Sequence, residues 1–370
     1  MYNFKIKKNL LLSTFLTSIL ISPVYASGGL SRDGNDVSFM FNNGSFLEIT
    51  FKSVTPSITG SSYTPLGIPT DISTSVGESY STYNVNYKQS LSDKTSLGFQ
   101  VRTPIGADVL YPNGSALAGI SVEYDSKSLS LLGTYKQSKN FALLGGLYSQ
   151  NQNGNVLIPF ANNYSATASK DTGTGFIAGG SYTIPEIALK ASFSYFSEID
   201  TSHATIENGV LETFTNITSP SGWNFDFETG VAANTLAFAS VEYQDWDTFI
   251  LDPVGFRVAT GDSLYNPESV TTYTLGVGRK FSDTLAGTIQ YTLKEETDGT
   301  ASALAPTDGY YDLSVGLRYT LDNIDFGIGG TMRTYTNDVS TTQELAPGVP
   351  IGNFTDNSLS GVGISMKYNY

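Results

Sequence analysis

The chain of 370 residues has no cysteine and one histidine, His203. Without cysteine, disulfide frameworks, thiolate metal sites and cysteine nucleophiles are excluded together. His203 falls in a stretch read as a loop near Asp200. A Ser/His/Asp or metal site would therefore rest on one residue, and no histidine lies on a predicted strand. The chain is read as a non-enzyme needing neither metal nor cofactor. Charged residues make up only 15% of it, and acids outnumber bases 34 to 20. With no basic patch to neutralise phosphates, nucleic acid is excluded as a partner. No segment approaches the roughly 18 to 20 consecutive apolar residues of a spanning helix, which removes helical membrane proteins.

What is present begins with an export signal. Lys5, Lys7 and Lys8 precede an apolar run from Leu10 to Ile21, and Val24-Tyr25-Ala26 supplies a cleavage site, so residues 1–26 read as a signal peptide. Its three lysines leave with it, so 20 basic residues become 17 against 34 acidic ones, a formal charge of −17. The remainder holds 37 Gly, 23 Tyr and 21 Phe. That composition suits a sheet-rich wall with aromatic girdles in an outer membrane.

From Ser45 onward apolar residues tend to recur at every second position, the period of a strand. Fourteen strands are placed near 45–55, 78–91, 95–103, 127–137, 140–150, 173–184, 187–198, 222–232, 235–247, 269–281, 284–295, 309–321, 323–336 and 357–370. Their connections alternate between long (56–77, 104–126, 151–172, 199–221, 248–268, 296–308, 337–356) and short, as at Ser92-Asp93-Lys94, Pro185-Glu186, Ala233-Asn234 and Asp322. An even strand count, short turns at one end and long loops at the other describe an all-β, transmembrane antiparallel barrel of a Gram-negative outer membrane. The alternation also assigns faces. Tyr83, Val85 and Tyr87 oppose Asn84, Asn86 and Lys88, and Leu97, Phe99 and Val101 oppose Gln100 and Arg102. Leu313, Val315, Leu317 and Tyr319 oppose Ser314 and Arg318, so the polar sets should face the lumen. The last strand ends Val362, Ile364, Met366, Tyr368, Tyr370 on the lipid parity, a terminal aromatic of the kind that resembles a signal for barrel-insertion machinery.

A lumen of fourteen strands calls for an occupant. Residues 27–44 are too irregular for a membrane strand and sit where they can fold back inside as a hatch or plug, leaving 45–370 as the barrel. Three stretches then carry a family likeness: this segment running into Gly44-Ser45-Phe46-Leu47-Glu48-Ile49-Thr50-Phe51; Tyr83 to Tyr111, with its Leu91-Ser92-Asp93-Lys94-Thr95-Ser96-Leu97-Gly98 turn and Pro104-Ile105-Gly106; and Trp223 to Trp246, with Gly230-Val231-Ala232-Ala233-Asn234-Thr235-Leu236 between strands. The sequence resembles the FadL/TodX family of outer-membrane channels. The resemblance implies fourteen strands, an N-terminal hatch, and uptake of long-chain fatty acids or other hydrophobic molecules. In it, ligand is captured by loops, enters the lumen and leaves sideways at a kinked third strand.

On its own chemistry, Pro104 lacks a ladder donor and Gly106 is flexible, so the pair either interrupts the wall or starts a loop. With Arg102 and Tyr111 they form the candidate lateral gate. Arg102, Lys88 and Arg318 on lumen parity either pair with a ligand carboxylate or balance acids such as Glu48. Phe249, Ile250, Leu251 and Phe256 form an apolar loop cluster, read as a capture surface or as a cap over the barrel mouth. The expected partners are a hydrophobic small molecule of the fatty-acid class, outer-membrane lipid and the insertion machinery. A general diffusion porin and a surface adhesin or receptor barrel are the alternatives.

Overall fold

The computed structural model describes residues 30–296, 300–336, 338–346 and 349–370, so the proposed signal peptide and residues 27–29 lie outside it. Fourteen strands form one closed antiparallel barrel. They are β1 Phe46–Tyr63, β2 Tyr80–Ser90, β3 Thr95–Arg102, β4 Ser121–Lys136, β5 Phe141–Ile158, β6 Tyr164–Ile184, β7 Leu189–Phe196, β8 Gly222–Ala232, β9 Thr235–Gln244, β10 Val270–Lys280, β11 Leu285–Lys294, β12 Tyr310–Leu321, β13 Ile324–Tyr335 and β14 Gly352–Asn369. β14 returns to β1, pairing from Phe46 with Asn369 to Ser62 with Gly352, so the wall closes on itself.

Side-chain exposure follows the sequence parity. Leu313, Val315, Leu317 and Tyr319 are exposed while Ser314 and Arg318 are buried, and Val362, Ile364, Met366, Tyr368 and Tyr370 all face outward. Gln100, Arg102 and Lys88 are buried in the lumen. Stacked aromatics band the outside at two levels: Tyr87 with Phe99 and Tyr368 with Tyr370 near the short turns, and Trp223 with Tyr243 and Tyr291 with Tyr311 farther up. Amphipathic rings at two heights suit the two interfaces of a bilayer. The short turns rest on residues that tolerate left-handed backbone, with Asn234 at φ 59 and Asp322 at φ 53.

Several stretches expected as loops are strand. β5 and β6 continue far past the expected 150 and 173, the chain from Gly106–Leu110 pairs with β4, and Ile199–Glu207 and Leu211–Ser219 form a hairpin in the supposed loop 199–221. His203 therefore lies on a strand, buried, with Nδ1 2.7 Å from the Ser169 carbonyl and Nε2 2.9 Å from Thr201 Oγ1. The reason is that this hairpin alternates in polar residues: Thr201, His203, Thr205 and Glu207 point in, while Asp200, Ser202, Ala204 and Ile206 point out. A search for apolar alternation passes over such a strand. The loop 248–268 holds the one α-helix among the described residues, α1 Val254–Thr260.

Candidate functional site at the break in the wall

Residues from Leu30 to Phe41 run inside the barrel. Leu30, Arg32, Asp33, Asn35, Val37, Phe39 and Met40 are buried. Lys52 on β1 donates to Asp33 at 2.9 Å, Gln100 on β3 donates to the Asp36 carbonyl at 2.9 Å, and the Asn35 amide donates to Glu242 on β9 at 2.9 Å. Because β9 stands roughly half the circuit from β1, these contacts carry the segment across the lumen. Val37, Phe39 and Met40 pack with Leu132, Leu144 and Phe196, and the chain leaves toward β1 through Gly44, at φ +80.

The wall is broken where this segment begins. β3 pairs with β2 only as far as Val85 opposite Val101, while β2 continues to Tyr80 with β1 alone. Thr103-Pro104-Ile105 leave the ladder, and pairing with β4 resumes at Gly106 opposite Asp125. The inner segment takes the vacated bonds: the Arg32 amide donates to the Pro104 carbonyl at 2.9 Å, and the Gly106 amide donates to the Leu30 carbonyl at 2.8 Å. A proline with no N–H can still accept, so Pro104 ends the β2 ladder without orphaning a donor. Above the break, Gly77 bridges to Val109 and closes a window between β2 and the resumed strand.

Arg32 fills that window. Its guanidinium lies 4.2 Å from the Tyr80 ring centroid and pairs with Asp108. Gly106 makes room for it, since a Cβ there would stand 2.4 Å from Arg32 Nε. A pocket adjoins the window, lined by Pro56, Ile58, Val76, Ala107 and Leu359 together with Arg32, Glu78 and Asp108.

The expected site residues divide. Pro104 and Gly106 form the break, and Arg102 sits beside it, donating to the Gly34 carbonyl at 2.7 Å with its guanidinium 5.3 Å from the Phe196 ring. Tyr111 is buried farther along, its hydroxyl 2.6 Å from the Ala303 carbonyl. Lys88 donates to the Asn42 carbonyl at the short-turn end, and Arg318 shares its surroundings with Glu48 and Asp325. The three cations are thus not gathered around one ligand position. Phe249 is buried against Trp246, Tyr124 and Tyr265, Ile250 is partly exposed, Leu251 is half-buried, and the half-buried Phe256 stacks edge-on to Tyr164. Loop 248–268 therefore packs over the barrel mouth. Arg32, Tyr80 and Asp108 escaped the sequence reading, because their meeting depends on where an irregular segment lies in space.

No family model matches the chain, and no curated protein matches it in sequence. Solved structures do. A FadL homologue from Pseudomonas aeruginosa superposes with a TM-score of 0.71 at 15% identity, over 90% of this chain and 92% of that one. The toluene transporter TodX of P. putida gives 0.60 at 13% identity, over 91% and 92%. The toluene transporter TbuX of Ralstonia pickettii gives 0.59 at 10% identity, over 89% and 90%. The chain has the fold of these FadL-type barrels.

Within this FadL-type barrel a second, mostly apolar pocket opens at the loop end. It lies between Leu30 of the inner segment, the ends of β4 to β6, the hairpin 199–219 and loop 248–268, with Val122, Val156, Ile217, Leu251 and Leu264 on its walls. Leu30, Ile105, Ala107, Ile217 and Tyr265 belong to one buried apolar cluster, so hydrocarbon surface runs from this cavity to the break.

The cover of the cavity is held by Glu207. Its carboxylate accepts from the Gly255 and Phe256 amides at 2.9 and 3.0 Å, from Thr213 at 2.9 Å and from Tyr164 at 2.8 Å. The group is outside the membrane, because it pairs opposite Ala166, and Ala166 to Ile184 spans about 60 Å along β6, beyond an apolar band of about 25 Å. Burial pushes its pKa up, but the amide and hydroxyl donors outweigh burial and hold it below the ordinary carboxylate value. A depressed pKa stabilises the latch fully at neutral pH, and that stabilisation is lost as pH falls below about 4. Glu207→Gln is expected to weaken the latch by about 1 to 3 kcal/mol. Hydrogen exchange at residues 254–260 should then be faster at neutral pH, while wild type reaches the same rate only in acid after correction for intrinsic exchange. Equal protection of the two proteins at neutral pH would contradict the assignment.

Proposed function

We propose that this chain is an outer-membrane channel of a Gram-negative bacterium for uptake of hydrophobic small molecules, including the fatty-acid class. Ligand is captured at the loop-end cavity, passes along the apolar cluster beside the inner segment, and exits sideways into lipid through the window between β2 and the resumed β3. The observation that carries this reading is the interrupted third strand, whose vacated hydrogen bonds are taken by the inner segment and whose opening adjoins a pocket walled in part by Pro56, Ile58, Val76 and Leu359. A solute of this kind avoids water throughout, which matters because each methylene moved from hydrocarbon to water costs about 0.8 kcal/mol. Residues 30–43 act as the hatch, and they argue against a general diffusion pore, since they cross its lumen. Lipid around the aromatic bands and the insertion machinery at Tyr370 are the other partners, with residues 1–26 removed on export.

Paired transport in liposomes tests the proposal, comparing uptake of a fluorescent long-chain fatty acid and of an uncharged fluorescent hydrocarbon with swelling in a small sugar. Pro104→Ala returns a donor to the broken strand, and is expected to cut saturable hydrophobic uptake about tenfold or more, the scale set by about 1.4 kcal/mol. Rapid sugar swelling with no hydrophobic uptake would leave a porin instead.

A further inference from the structure

The short-turn mouth of the lumen carries more positive charge than it neutralises. A pocket there, bordered by Met40 to Asn43 at the end of the inner segment, is lined by Lys88, Lys136, Lys139 and Lys190 and by a single acid, Glu228. Glu228 pairs with Lys190 at 3.3 Å, and the exposed Lys139 pairs with Glu186 at 3.7 Å. Lys88 and Lys136 have no acid within ion-pair distance among the described residues. Lys88 is 4% exposed, its ammonium donates to the Asn42 carbonyl, and the charged groups acting on it, Lys136, Lys367 and Lys190, all share its sign. A buried cation among cations is costly until an anion joins it. Acids outnumber bases 34 to 20 in the chain, so this excess is local.

The sheet sets hydroxyls between the two unmatched lysines. Ser96 on β3 stands directly across from Thr134 on β4. Lys88 stands across from Gly98, one two-residue period to one side of that pair, and Lys136 lies one period to the other side, each step about 7 Å. Ser96 and Thr134 are buried, line the same pocket, and their hydroxyls have no hydrogen-bond partner among the described residues. Ammonium groups hold oxyanions as compact charges, and hydroxyls donate to their oxygens. Two unmatched positive charges fit a phosphate group, which carries close to two negative charges near neutral pH, better than they fit one carboxylate.

We propose that this pocket is a phosphate-binding site, in which Lys88 and Lys136 neutralise the oxyanion while Ser96 and Thr134 donate to it. The group comes free in solution or as the head of an anionic phospholipid. Bound beside Asn42, it offsets the charge where the inner segment leaves the lumen and ties that end of the segment to β2, β3 and β4. The site is separate from the window and from the loop-end pocket, and it does not depend on what the channel carries.

Chemical protection tests it on the full exported chain in a phosphate-free maltoside detergent. A water-soluble N-hydroxysuccinimide ester acylates exposed lysines, and mass spectrometry reads the rate at each. Inorganic phosphate at ten times its Kd should slow acylation of Lys136 about tenfold, while the exposed Lys94 in the neighbouring turn reacts at an unchanged rate and chloride at equal ionic strength protects neither. Lys88→Met should weaken phosphate about tenfold or more, and Ser96→Ala about 2- to 10-fold, by calorimetric titration. The wild-type protection pattern decides the matter where a variant folds poorly. Protection by dihexanoyl phosphatidate with none from inorganic phosphate supports the site and assigns the lipid head as its source. No protection by either probe, equal protection by chloride, or undiminished phosphate affinity in folded Lys88→Met overturns the proposal and leaves the channel reading untouched.

Discussion

Asp312→Ala is expected to destabilise the folded barrel by about 3 to 5 kcal/mol, more than any other single substitution considered above. Asp312 on β12 stands directly across from Arg333 on β13. Two parallel hydrogen bonds join them, Arg333 Nε to Oδ1 at 2.7 Å and Nη2 to Oδ2 at 2.8 Å, and both side chains are 0% exposed. The guanidinium lies 3.3 Å over the Tyr310 ring centroid and 5.9 Å from that of Tyr335, so it cannot swing to water without tearing this packing. Removing the carboxylate leaves a buried cation with no counter-charge, in a region that also holds Lys294 beside Tyr310. Urea unfolding in lipid vesicles should show a lower midpoint at unchanged slope. Asp312→Leu combined with Arg333→Met should recover most of the loss, since replacing both partners removes the stranded charge. A single variant within about 1 kcal/mol of wild type would mean that the pair is not the fixed point it is taken to be.

This pair also marks how far the sequence could be read. The wall was legible because lipid on one side and a packed lumen on the other force a two-residue period, and residues such as Leu313, Val315, Leu317 and Tyr319 declare it. Asn234 and Asp322 were legible as turns because few residues accept left-handed backbone at low cost. The break at Pro104 and Gly106 was legible as chemistry, since proline removes a donor. What fills the break was not. Arg32 reaches Tyr80 and Asp108 only because residues 30–43 fold back through the lumen, and nothing in their local pattern fixes that path. The hairpin carrying His203 was missed for a different reason: its inward face is threonine, histidine and glutamate. Its partners are polar groups and its apolar alternation is faint. Likewise, Lys88, Arg102 and Arg318 had the right parity for the lumen, but parity says nothing about height along it, and the three lie against different partners.

A sideways exit requires the inner segment to move away from the window, and the cysteine-free chain permits a direct measurement. Ser31 and Ile105 form an antiparallel bridge, flanked on either side by the Arg32 to Pro104 and Gly106 to Leu30 hydrogen bonds. That is a non-hydrogen-bonded pair, whose Cα atoms approach to about 4.5 Å, within reach of a disulfide. Ser31→Cys with Ile105→Cys should therefore oxidise readily and pin the segment across the break. Uptake of the neutral fluorescent hydrocarbon probe into liposomes by the oxidised double variant is expected to fall to the protein-free rate and to return on reduction, while each single variant transports like wild type. Undiminished uptake by the fully oxidised protein would contradict a sideways exit at this window.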